Sequence, residues 1–92
     1  MKISLLDGMI DKIRMSILEF ESQYPYAIDT VMYMNDYTRQ LFEIIMIKEF
    51  SLHATPERIG YHLGDICTYQ GTNIIIKNDL DSFEIEIAKK EN

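Results

Sequence analysis

The sequence predicts an α+β fold, a two-layer sandwich in which two helices pack on one face of a four-stranded antiparallel sheet in the order α-β-β-α-β-β. Three observations predict it. Apolar residues recur at spacings of three and four from Leu6 to Phe20, a Thr-Pro-Glu helix start at Thr55 leads into a second apolar stripe, and Phe83, Ile85 and Ile87 alternate with Glu84 and Glu86. The first two patterns collect on one side of an α-helix, and the third is a strand with one buried face. Elements of both kinds in a chain this short bury their apolar faces against each other as two layers.

The first helix is predicted over 5–21, where Leu6, Met9, Ile10, Ile13, Ile17 and Phe20 form the stripe. Asp7 and Asp11 stand near its start, where the helix dipole favours negative charge, and Pro25 lies just past its end. Met15 and Leu18 point away from the stripe and make a candidate second contact face, one that a homodimer would bury. Over 26–50 period and composition disagree. Ile28, Val31 and Met32 fit a helix, whereas Thr30, Ile44, Ile45, Ile47 and the tyrosines are strand residues. Asn35-Asp36, a polar break between two runs, has the chemistry of a tight turn, so the stretch reads as two antiparallel strands in a hairpin.

The second helix is predicted over 55–69. Thr55 is its N-cap, Pro56 its first helical residue and Glu57 a favourable first-turn charge; Ile59, Leu63 and Ile66 make its stripe, and Gly71 follows as the left-handed residue that ends it. A last hairpin joins 73–77 to 83–88 through Asn78, Asp79, Asp81 and Ser82, with Lys77 placed to compensate Glu84 and Glu86 across the strands. Residues 89–92 read as a frayed polar tail.

Ninety-two residues make a single small domain. Nine Lys and Arg against fifteen Asp and Glu leave a net charge of −6, a field that repels nucleic-acid phosphates and anionic lipid headgroups, so direct nucleic-acid binding is not expected. The single cysteine, Cys67, forms no internal disulfide, which points to a reducing cytoplasm. Asp7, Asp11, Lys12 and Arg14 interrupt any apolar stretch after Lys2, so neither a signal peptide nor a membrane span is expected.

No motif names a reaction. His62 and Cys67 are five positions apart and so do not share a helix face, and His62 with Asp65 alone does not make a metal site. No metal, cofactor or catalytic residue is expected. Gly60 and Gly64, four apart, open a groove on the second helix that suits close packing or an approaching partner. The strongest asymmetry lies between Arg14 and Arg39, where no basic residue occurs while Glu19, Glu21, Asp29 and Asp36 accumulate beside Tyr24, Tyr26, Tyr33 and Tyr37. Tyrosine supplies large amphipathic contact area, and an acidic field steers a basic partner. The expected function is therefore a non-catalytic protein-interaction module, a small acidic regulator or inhibitor docking a basic protein surface through those eight residues. Two other readings stand beside it. One is an acidic decoy of nucleic acid that blocks a DNA- or RNA-processing enzyme; the other is a small ligand-binding domain or enzyme at the Gly60, Gly64 and His62 groove.

Overall fold

A computed structural model of the chain describes residues 1–7, 10–50, 68–69 and 71–90. The described elements run β1 (Lys2–Ser4), a turn of 3-10 helix (Leu5–Asp7), α1 (Ile10–Ser22), β2 (Thr30–Met34), α2 (Asp36–Phe50), β3 (Thr68–Tyr69), β4 (Thr72–Ile76) and β5 (Glu84–Lys89). The class is α+β, as the sequence predicts. The sheet differs in detail: five described strands lie in the order β1-β5-β2-β4-β3, and β2 runs parallel to β4 while every other pair is antiparallel.

Side-chain alternation explains the layers. Met32 and Met34 of β2, Ile74 of β4, and Ile85 and Ile87 of β5 share one sheet face, because the registers pair Met32 with both Ile74 and Ile87. On that face they join Ile13, Ile17 and Phe20 of α1 with Phe42 and Met46 of α2 in a single buried cluster. Both described helices thus cover the same face. Val31, Met32 and Met34 have no exposed area, the near-continuous burial expected of a central strand. The predicted faces of the last strand hold, with Ile85 and Ile87 buried and Glu84 and Glu86 on the opposite side.

The hairpin predicted over 26–50 does not form. Only Thr30–Met34 is a strand, and Asp36–Phe50 is a helix. Asn35 is its N-cap rather than a turn residue: Asn35 Oδ1 accepts the Thr38 N–H at 2.7 Å, and the Asn35 carbonyl accepts the Arg39 N–H at 3.0 Å. Once the helix has started, Thr38, Leu41, Phe42, Ile45 and Met46 fall on its inner side, and their burial outweighs the small helix penalty of the isoleucines.

Four further expectations change. The predicted last hairpin is split, because β2 lies between β4 and β5, so Lys77 meets the Tyr33 ring and Glu84 pairs with Lys2 at 3.2 Å. The predicted second helix lies outside the described residues except at its last two positions, Thr68–Tyr69, which are strand and pair with β4. Gly71 does have a left-handed φ of +84°, but it serves the β3–β4 turn. Lys89 closes β5 instead of fraying, and the Lys90 N–H donates to the Asp29 carbonyl at 2.7 Å. At the opposite edge, β1 pairs with β5 and the N-terminal ammonium donates to the Ile87 carbonyl at 2.9 Å.

Candidate functional site

The predicted acidic tyrosine segment is divided by the strand that runs through it. Glu21, Tyr24, Tyr26 and Asp29 gather where α1 ends and the chain turns into β2. Phe20, Tyr24 and Tyr26 form an edge-to-face series with centroids 5.5 and 6.2 Å apart, anchored on the core through Phe20. Lys89, at the end of β5, carries its ammonium to 5.9 Å from the Tyr24 centroid and 5.4 Å from that of Tyr26. Those distances are within reach of the ring quadrupole. Glu21 is fixed beside this corner, its Oε2 accepting the Thr30 hydroxyl at 2.9 Å.

Tyr33, Asp36 and Tyr37 lie elsewhere. Tyr33 occupies the sheet face opposite the helices, where Lys77 stands 5.5 Å from its centroid. Asp36 and Tyr37 begin α2 past the far end of β2, and five residues of strand at ~3.3 Å each put roughly 15 Å between them and the Tyr24–Tyr26 corner. Tyr37 packs edge-on against Phe83 at 6.0 Å. Asp36 accepts hydrogen bonds from Arg39 Nε at 3.1 Å and Gln40 Nε2 at 3.0 Å, which hold its carboxyl below the ordinary range, the Arg39 bond being the larger cause. It is engaged in starting the helix. Glu19 is exposed one helical turn from Met15, and Met15 and Leu18 are themselves 68% and 57% exposed, the outward placement their spacing predicts. Gly60, Gly64, His62 and Cys67 lie outside the described residues.

Sequence reasoning missed a cleft of about 520 Å³ that opens beside the tyrosine corner, between α1 and the N-terminal ends of β2 and β4. Arg14, Ile17, Leu18 and Glu21 of α1 form one wall; Asp29, Thr30, Tyr69, Thr72 and Lys90 are among the groups opposite. These positions come from four separate stretches of chain, and only the parallel β2–β4 pairing brings Thr30 and Thr72 to the same end of the sheet.

Two other features involve the first half of α2. Glu43 is 2% exposed and pairs with Arg39 Nη1 at 3.3 Å, an internal ion pair one helical turn long that is no part of the cleft. Phe83 has a φ of +69°, an uncommon conformation for an aromatic residue. It is held there from both sides: Thr38 Oγ1, fully buried, accepts its N–H at 2.8 Å, and its carbonyl accepts the Leu5 N–H at 2.6 Å.

Among the described residues no group of three or more His, Cys, Asp or Glu could hold a metal ion, and no helix is long and apolar enough to cross a membrane. No protein family, curated protein or solved structure matches this chain.

Proposed function

We propose that the protein is a non-catalytic interaction module, a small acidic cytoplasmic regulator or inhibitor that docks a basic surface of another protein. The docking surface is Glu19, Glu21, Tyr24, Tyr26 and Asp29, the part of the acidic tyrosine segment that lies around the end of α1. The observation that carries this reading is the seat of Lys89. Two tyrosine rings already receive one ammonium group there, beside Glu21 and Asp29, and Tyr26 is 59% exposed. A lysine or arginine on a partner would meet the same rings and the same acids.

The test is capture of partners from the native host lysate at low and high salt. A Glu19→Lys, Glu21→Lys, Asp29→Lys variant is run against an Asp36→Lys variant. The reading expects a basic protein retained by the wild type and by the Asp36 variant, released at high salt, and lost by the triple variant. Retention by the triple variant, or the absence of any salt-sensitive partner, overturns it.

A further inference from the structure

We infer that the cleft along α1 is a binding site for a short peptide with both termini free, about three residues long, lying with its carboxylate at Arg14 and its ammonium at Glu21 and Asp29. The argument begins with helix geometry. Arg14, Ile17, Leu18 and Glu21 occupy i, i+3, i+4 and i+7, so all four stand on one side of α1 and all four line the cleft. Seven residues at ~1.5 Å rise separate Arg14 from Glu21 by about 10 Å along the axis. An extended chain covers ~3.3–3.6 Å per residue, so a tripeptide spans that distance between its terminal charges.

The charges of the cleft are arranged in the same direction. The Arg14 end carries one positive group. At the other end the charged residues of the lining are Glu21, Asp29 and Lys90, two acids to one base, while the Lys89 ammonium is seated on the Tyr24 and Tyr26 rings outside the lining. A zwitterion laid from one end to the other meets the opposite sign at each terminus. A purely basic ligand would face Arg14, and a purely acidic one Glu21 and Asp29.

Between the ends Leu18 and Ile28, with Ile17 behind them, supply the apolar part of a mostly polar lining, a place for one hydrophobic side chain at the middle of the peptide. The far wall offers the Thr30 and Thr72 side chains to peptide groups. The Thr30 hydroxyl also holds Glu21 in place at 2.9 Å before any ligand arrives, so that acid needs no reordering on binding. The volume of about 520 Å³ is within the usual range of small-molecule sites.

The experiment is titration of the isotope-labelled full chain with Gly-Leu-Gly, read from amide chemical shifts. The N-acetylated and the C-amidated forms of the same peptide serve as comparisons. The expected result is saturable shifts at Ile17, Thr30 and Thr72 with the free peptide, and binding weakened about tenfold or more by either block. Arg14→Gln should abolish the preference for the free carboxylate, and Glu21→Gln with Asp29→Asn the preference for the free ammonium, while the unliganded spectra of both variants stay those of the folded protein. No saturable shift at those amides up to about 10 mM peptide, or equal binding of blocked and free forms, overturns the inference. Glu21 and Asp29 also belong to the proposed docking surface, but that reading is tested by salt-sensitive capture of a basic protein, so either can fail alone.

Discussion

Asn35 joins three parts of the structure through one side chain, and replacing it tests how the fold is held at the junction of β2 and α2. Its Oδ1 accepts the Thr38 N–H at 2.7 Å, while its Nδ2 donates to the Leu80 carbonyl at 3.1 Å, forty-five positions away in the chain. Alanine removes both bonds. Loss of an N-cap costs about 1 kcal/mol, and loss of the donor to a partly buried carbonyl about another 1 kcal/mol, for a sum of about 2 kcal/mol. A domain of this length has roughly 5–14 kcal/mol of stability in total, so the change is large enough to read by urea denaturation followed by circular dichroism, with an unchanged slope showing that the two end states are the same. Serine separates the two contributions. Its hydroxyl caps as well as asparagine does but has no amide to reach Leu80, so Asn35→Ser should lose about half as much as Asn35→Ala. An alanine variant within about 0.5 kcal/mol of wild type would refute the coupling, and a serine variant as costly as alanine would refute the cap.

Further outcomes follow from the same end of the molecule and from the tyrosine corner. Thr38→Val keeps the shape but removes the acceptor of the Phe83 N–H, and should cost about 1–3 kcal/mol by the same denaturation; a loss under about 0.5 kcal/mol would show that the left-handed Phe83 does not depend on it. Asp36 titrates below its unfolded value because Arg39 and Gln40 bond its carboxylate, so its contribution is present above about pH 4 and fades as pH falls through the lowered folded value. Asp36→Asn should therefore flatten the stability profile below about pH 4, and an unaltered profile would contradict the linkage. Lys89→Ala empties the corner between Tyr24 and Tyr26 at a cost of about 0.5–1 kcal/mol, and should strengthen capture of a basic partner by leaving both rings to its cation. Weaker capture would mean that Lys89 itself forms part of the docking surface.

The elements legible in the sequence are those whose period is unambiguous. Ile13, Ile17 and Phe20 repeat at helical spacing and are buried in α1, and Ile85 and Ile87 alternate with two glutamates as β5 requires. The stretch that misleads is 26–50, for two physical reasons. Isoleucines at 44, 45 and 47 have strand propensity, but propensity is weak beside burial, and Leu41, Phe42, Ile45 and Met46 turn their side chains to the core only in a helix. Asparagine is equally at home in a tight turn and at a helix N-cap, so Asn35 alone does not decide between them. The discriminating signal was the helical spacing downstream of it. The parallel pairing of β2 with β4 had no local trace, because each strand's pattern is the same whichever direction its neighbour runs.

The candidate site was half legible for a related reason: neighbours in sequence are neighbours in space only within one element. Glu21 to Asp29 stays together because the chain turns there, whereas β2 carries Tyr33 to the opposite face and Asp36 and Tyr37 to the opposite end. Composition identified an acidic, tyrosine-rich segment and had no means of showing that a strand would cut it. The cleft inverts the problem, since Arg14, Asp29, Thr72 and Lys90 are scattered along the chain and meet only after the sheet has formed. One part of it was nevertheless written locally. Arg14 and Glu21 bracket Ile17 and Leu18 at i, i+3, i+4 and i+7, opposite charges two turns apart across an apolar step on one side of a helix. That spacing is too long for the two side chains to pair with each other along the helix surface. Glu21 turns instead to the Thr30 hydroxyl across the groove at 2.9 Å, and the proposed peptide would meet Arg14 with its carboxylate and Glu21 with its ammonium.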